Sequence, residues 1–131
     1  MIYLWIALGS GIGGMARYAC SDAAAWLLGG AFPWGILFIN ALGSFVIGFF
    51  FTITGPEGRL LVSSTTRQFV MTGLCGGYTT FSAFSLDTLN LMRDARLLAA
   101  GANVLLSVMA CLLFVWAGHM MAAELNKPRR R

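Results

Sequence analysis

Residues 72–85 place glycines and hydroxyl side chains in the middle of an apolar stretch. The segment is TGLCGGYTTFSAFS, with three glycines and three threonines in its first nine positions. This composition disfavours a continuous helix, and backbone groups freed by a break inside a membrane are tolerated only where they are buried or face a cavity. Freed carbonyl oxygens can bind a hard cation. The residues by themselves leave two interpretations open, a packing kink and an ion site.

Two phenyl rings lie where a helix is expected to resume after this segment. Phe81, Phe84 and Thr88 recur at helical spacing and share a face with Ser85. A phenyl ring carries partial positive charge at its edge, so a ring edge directed into a pore would favour a small anion. Ordinary packing of a helix core is compatible with the same residues.

Polar side chains also occur inside the second and fourth apolar stretches. Asn40 shares a helical face with Gly43, Ser44 and Ile47. Its amide brings two donors and an acceptor into hydrocarbon, where each needs a partner. A second stripe recurs every four residues, at Asn103, Ser107 and Cys111. Both sets predict either hydrogen bonds between helices or the lining of an anion path.

Composition excludes several classes of protein. The chain has 131 residues, of which 58% are hydrophobic and 11% charged, against roughly a quarter charged in soluble proteins. The net charge of +4 depends largely on Lys127 and the three arginines that end the chain, a typical cytoplasmic anchor facing anionic lipid. Soluble enzymes, nucleic-acid-binding domains and disordered chains are therefore excluded, and the sequence predicts a membrane protein.

An all-α architecture with four transmembrane helices follows from the apolar stretches, because about 20 apolar residues span a bilayer. The chain 1–131 is predicted to be a single transmembrane domain, with helices at about residues 3–28, 34–54, 68–92 and 97–121 and a basic tail at 124–131. The third helix is predicted to break near its centre. Four helices enclose little space, so we expect an oligomer. Gly9, Gly11, Gly13 and Gly14 predict a packing seam on the first helix.

The segment 72–85 resembles the TGxxGGxTTFSTFS signature of the small fluoride channels called Fluc or CrcB. Gly13 and Arg17 resemble the GxxxR element of that family, and residues 33–40 (PWGILFIN) resemble its PxGTLxxN element. The order of these motifs and the size of the chain also fit, so the resemblance covers nearly the whole sequence.

This resemblance implies an antiparallel, dual-topology homodimer in the bacterial inner membrane. Two pores would let fluoride leave the cell passively and so relieve its toxicity, without enzyme activity and without nucleic acid as a partner. A structural Na⁺ at the dimer centre would be held by the backbone carbonyls of Gly76 and Thr79 from both subunits. Arg17 is implied as a structural or vestibule residue, and we expect it near one end of the first helix. The pore residues implied by the resemblance are Asn40, Thr80, Phe81, Ser82, Phe84 and Ser107.

Some positions depart from the family pattern. Ile36 and Ala83 replace threonines, and Asn103 stands where the family often has tyrosine, so the pore wall is expected to differ there. The basic tail also adds a one-sided charge that an evenly dual-topology protein does not need. A homodimer is still favoured over pairing with a homologue, because the remaining charges on the two sides are nearly balanced.

Two other functions compete with the channel. A small multidrug antiporter coupled to protons needs a carboxylate embedded in the membrane, usually in the first helix, and residues 1–16 contain none. The sequence as a whole shows no metal-ligand cluster and no nucleophile–base pair. A non-transporting assembly subunit would give no ion flux after reconstitution, whereas a channel would give rapid fluoride efflux.

Overall fold

The computed structural model describes residues 1–127, and this range is helical, with no strand. Its elements are α1 (Ile2–Leu28), α2 (Trp34–Ile53), α3 (Ser64–Gln68), a π-helical segment (Phe69–Cys75), α4 (Gly76–Tyr78), α5 (Phe81–Arg93) and α6 (Leu97–Asn126). The first helix ends at Gly29, whose φ of 74° suits glycine. Pro33 precedes the first residue of α2.

Two of the helix ends differ from the predicted ones. The third predicted helix, expected from residue 68, begins four positions earlier, at Ser64. The reason is that the Ser63 hydroxyl accepts a hydrogen bond from the Thr66 amide and caps α3. The last helix continues to Asn126, so the first three residues of the predicted tail are helical. The tail residues 128–131 lie outside the described part of the chain.

The break in the third predicted helix lies just beyond the glycines. The chain stays helical through Gly76 and Gly77, first as π-helix and then as α4. It becomes extended at Thr79, with ψ 159°, and at Thr80, with φ −155° and ψ 118°. The expectation of a break at the glycines is therefore corrected by two to three residues.

Close packing of α1 explains why the glycines remain helical. Gly9 and Gly13 are buried in the interface with the π-helical segment and α4. A Cβ on Gly77 would lie 2.7 Å from the Cα of Ser10, a distance that the two backbones could not accept without moving apart. A Cβ on Gly11 or Gly14 would meet nothing within 4 Å, so the predicted seam uses two of its four glycines.

The helices α2 and α6 pack side by side and run in the same direction. Gly48 lies against Val115, and Thr52 contacts His119, in both cases at a separation of 67 positions. A constant separation along two contacting helices is the property of a parallel pair. Within residues 1–127, α2 and α6 are the two helices that are both long and apolar enough to cross a membrane. Their surfaces are mostly not covered by the chain itself, so a lipid or protein surface must cover them.

Candidate functional site

The side chain of Asn40 holds both backbone groups of Thr80 at the break. Its Oδ1 accepts from the Thr80 amide at 2.7 Å, and its Nδ2 donates to the Thr80 carbonyl at 3.0 Å. In a continuous helix the Thr80 amide would donate to the carbonyl of Gly76 instead. Oδ1 of Asn40 therefore replaces the helical acceptor that the Thr80 amide loses at the break, and Nδ2 adds a second hydrogen bond to the same residue.

Thr80 also starts the next helix. Its hydroxyl accepts from the amide of Ala83 at 3.1 Å and caps α5, and it lies 3.1 Å from the hydroxyl of Ser82. Because the Ala83 amide is engaged there, the Thr79 carbonyl has no helical partner. In a continuous helix, the Thr80 and Ala83 amides would donate to the carbonyls of Gly76 and Thr79. Both amides have other acceptors here, so both carbonyls are released from the helical pattern.

Arg17 lies at the level of the break. Its Nη1 donates to the Thr79 carbonyl across 3.5 Å, a long hydrogen bond. Because α1 continues to Leu28, this arginine stands well inside the helix, and the expectation that it lies near one end is corrected. The released carbonyl gives the guanidinium an acceptor there.

A cavity of about 570 Å³ lies beside the break, between α2, the π-helical segment, α5 and α6. The predicted residues that line it are Asn40, Gly76, Thr79, Thr80, Phe81, Phe84 and Ser107. Ser82 and Arg17 do not line the cavity, although each contacts a threonine of the break. The other residues predicted to share the helical face of Asn40 also line the cavity: Gly43, Ser44 and Ile47.

The two phenylalanines of α5 have different environments. Phe84 is 8% exposed, whereas Phe81 is 77% exposed in the single chain. Their ring centroids are 5.2 Å apart, with the planes tilted by 49°. The Phe84 ring is therefore part of the packed wall of the cavity, and the Phe81 ring lies at its open side.

A chain of polar side chains leads away from the cavity between α5 and α6. The Ser107 hydroxyl donates to the side-chain oxygen Oδ1 of Asn103 at 3.4 Å, and Nδ2 of Asn103 donates to the Thr88 hydroxyl at 2.9 Å. Thr88 donates in turn to the Phe84 carbonyl at 2.8 Å. The stripe on α6 and the hydroxyl on α5 were visible in the sequence, but their direct contact was not.

Gly43, which helical spacing placed on the face of Asn40 without a role of its own, is a residue of the site. It is buried, and a Cβ there would overlap the methyl group of Thr79. Its place one turn from Asn40 was the available signal. The absence of a side chain at Gly43 lets the broken segment approach α2 closely enough for Asn40 to reach Thr80.

The chemistry of the cavity is that of uncharged donors. Its lining contains amide, hydroxyl and thiol groups and two phenyl rings, but no aspartate, glutamate, lysine, arginine or histidine. A carboxylate that could exchange a proton for a cation is therefore missing from the walls of this cavity. Donor groups and ring edges suit an anion better than a cation.

Comparison with known proteins shows the family of the chain. The family described as "CrcB-like protein, Camphor Resistance (CrcB)" matches residues 4–119. The chain belongs to the CrcB family. A CrcB relative from Methylocella silvestris is 55% identical over 127 residues, covering 97% of each chain, and one from Opitutus terrae is 55% identical over 125 residues, covering 95% of each. Both are named fluoride-specific ion channel FluC. This CrcB kinship confirms the predicted family and the prediction that the chain is not an enzyme.

Proposed function

We propose that this chain is a fluoride-selective channel that lets F⁻ cross the membrane passively. The observation that carries the proposal is the 55% identity over 97% of both chains with a relative named fluoride-specific ion channel FluC. The cavity beside the break supports it, because Asn40, Thr80, Ser107 and the two phenyl rings of α5 line it together. In acidic surroundings HF enters the cell and dissociates, and the channel returns F⁻ along its gradient.

Fluoride is small and strongly hydrated, so a path for it must replace water with closely spaced donors. One N–H of the Asn40 amide donates to Thr80, which leaves the second N–H for an anion. The hydroxyl of Ser107 and the edges of the Phe84 and Phe81 rings would provide further contacts. Because Oδ1 of Asn40 accepts from the Thr80 amide, the side chain is held with its acceptor turned toward the backbone.

We infer that the chain crosses the bacterial inner membrane four times. The spans would be α1, α2, residues 64–93 and α6. The 27 residues of α1 extend about 40 Å, which exceeds the hydrocarbon thickness of roughly 30 Å. The relatives come from bacteria, and large apolar side chains such as Trp26 and Leu98 are exposed on the single chain.

The open side of the cavity supports an antiparallel homodimer. Phe81 and Gly76 are both exposed there, although the first is a large apolar ring and the second has a released carbonyl. A second copy related by a two-fold axis in the membrane plane would cover both. Two pores would then form, and the two breaks would lie near each other.

The released carbonyls fit a Na⁺ ion in that arrangement. Carbonyl oxygens are ligands of hard cations, and those of Gly76 and Thr79 have lost their helical partners to Asn40 and Thr80. The Thr79 carbonyl also accepts the long 3.5 Å contact from Arg17, which leaves its second lone pair for an ion. Two copies would bring four such oxygens together. A bound sodium would supply a fixed positive charge that favours an anion nearby.

Reconstituted liposomes test the proposed function. Vesicles loaded with potassium fluoride and potassium chloride, and treated with a potassium ionophore, should release fluoride rapidly and retain chloride, as measured with ion-selective electrodes. Protein-free vesicles provide the background. Equal release of both halides would contradict selectivity, and no release above background would contradict the channel.

A further inference from the structure

The groove between α2 and α6 continues beyond the central cavity. A second cavity of about 490 Å³ shares Ile47 and Met71 with the central one. A third cavity, of about 570 Å³, lies next to the turn that follows α2 and shares Thr52 and His119 with the second. The three cavities therefore follow one another from the break toward one end of the helices.

The position of Thr52 and His119 relative to the central cavity follows from the parallel packing of α2 and α6. Thr52 is twelve residues beyond Asn40, and His119 is twelve residues beyond Ser107. At 1.5 Å per residue, both lie about 18 Å farther along the groove. Thr52 is thus as far from Asn40 along α2 as His119 is from Ser107 along α6.

The hydrogen bonds of this pair define which nitrogen of the imidazole is free. The Thr52 hydroxyl lies 2.9 Å from the Gly48 carbonyl and 2.8 Å from Nδ1 of His119. A hydroxyl has a single proton, and the carbonyl can only accept it. With the hydroxyl proton on the Gly48 carbonyl, Nδ1 carries a proton and donates to Thr52. Within residues 1–127, Nε2 of His119 has no hydrogen-bond partner.

We propose that Thr52 and His119 form a second anion-binding position on the route out of the central cavity, and that it binds the passing halide when His119 is protonated. This inference rests on the proposed function. The imidazolium ring has a positive charge and an unused Nε2–H donor, whereas the neutral ring presents a lone pair at Nε2. Thr52 is the positioning residue, because its hydroxyl holds the other side of the ring.

Few other charged groups face this position. Glu57 and Lys127 line the third cavity together with His119, and Lys127 forms an ion pair with Glu124 at 2.5 Å. Cζ of Arg67 in α3 lies 4.9 Å from the centroid of the Phe51 ring, which lines the second and third cavities. The residues that α2 and the π-helical segment contribute to these cavities are uncharged. Glu57 is therefore the matched control for a response to pH.

The experiment compares fluoride efflux at about pH 7.5 and about pH 5.5, a range in which histidine gains a proton. Protein-free vesicles at each pH correct for the leak of HF. Efflux through the wild-type protein should rise by at least about threefold on acidification, because a cationic group raises the local anion concentration. His119→Gln should lose this rise, and Glu57→Gln should keep it.

Each result decides a separate point. The same rise in His119→Gln as in the wild type would overturn the second position and leave the channel intact. No efflux through the wild type at either pH would overturn the proposed function together with this inference. If His119→Gln does not elute as a folded protein, Thr52→Val replaces it: a rise reduced to less than half supports the position, and an unchanged rise overturns it.

Discussion

Phe84→Ile is expected to lower fluoride efflux at least about a hundredfold, which corresponds to a barrier higher by about 2.7 kcal/mol. The ring is 8% exposed and lines the central cavity beside Thr80 and Ser107. Isoleucine keeps an apolar side chain in this packed position, but it has no ring edge with partial positive charge. A dehydrated anion beside Phe84 would lose a contact that the isoleucine side chain cannot make.

The matched control for this variant is Phe49→Ile on α2. Phe49 stacks on Phe45 with centroids 6.3 Å apart, and neither ring lines the central cavity. The control should conduct like the wild type, and both variants should elute at the same position in size-exclusion chromatography. Unchanged efflux through Phe84→Ile would remove this ring from the mechanism.

Asn40→Asp is expected to block fluoride efflux at alkaline pH. An ionised carboxylate about 4 Å from the anion costs about 4 kcal/mol at an effective dielectric constant of 20, roughly a thousandfold in occupancy. The aspartate also places an oxygen against the Thr80 carbonyl. In the wild type this carbonyl accepts a hydrogen bond from Nδ2 of Asn40. A protonated carboxyl could instead make both hydrogen bonds to Thr80. Efflux should therefore fall as the pH rises and the new carboxyl loses its proton.

Ser44→Asp separates the effect of charge from the effect on the break. Ser44 lines the same cavity, and its hydroxyl donates to the backbone carbonyl of Asn40 without touching Thr80. This variant should also conduct poorly at alkaline pH while leaving the Asn40–Thr80 hydrogen bonds in place. Wild-type efflux through Asn40→Asp at about pH 9, where a carboxyl is normally ionised, would contradict a pore role for Asn40.

The sequence predicted a break in the third helix, but placed it at the glycines. Low helix propensity was the signal, and it is shared by Gly77 and the threonines that follow. The structure uses Gly77 for contact with the Ser10 backbone, which is a demand of packing rather than of local conformation. The break itself depends on Thr80, whose hydroxyl offers the Ala83 amide an alternative to the helical carbonyl.

Long-range hydrogen bonds limited the prediction of the site. Helical spacing was enough to place Gly43, Ser44 and Ile47 on the face of Asn40, because neighbours along one helix follow from its geometry. The pairing of Asn40 with Thr80 joins residues 40 positions apart, and no periodicity within one helix indicates such a partner. The same reason hid the contact between Thr52 and His119, which depends on the parallel register of α2 and α6.

The most direct test of passive fluoride conduction is the current through single channels in a planar bilayer with a fluoride gradient. A passive and fluoride-selective path should give a current that reverses at the equilibrium potential of fluoride, whatever the chloride concentration. A proton gradient added across the membrane should leave the reversal potential where it was. Reversal at the chloride potential, or a reversal potential that moves with the proton gradient, would contradict a passive and fluoride-selective path.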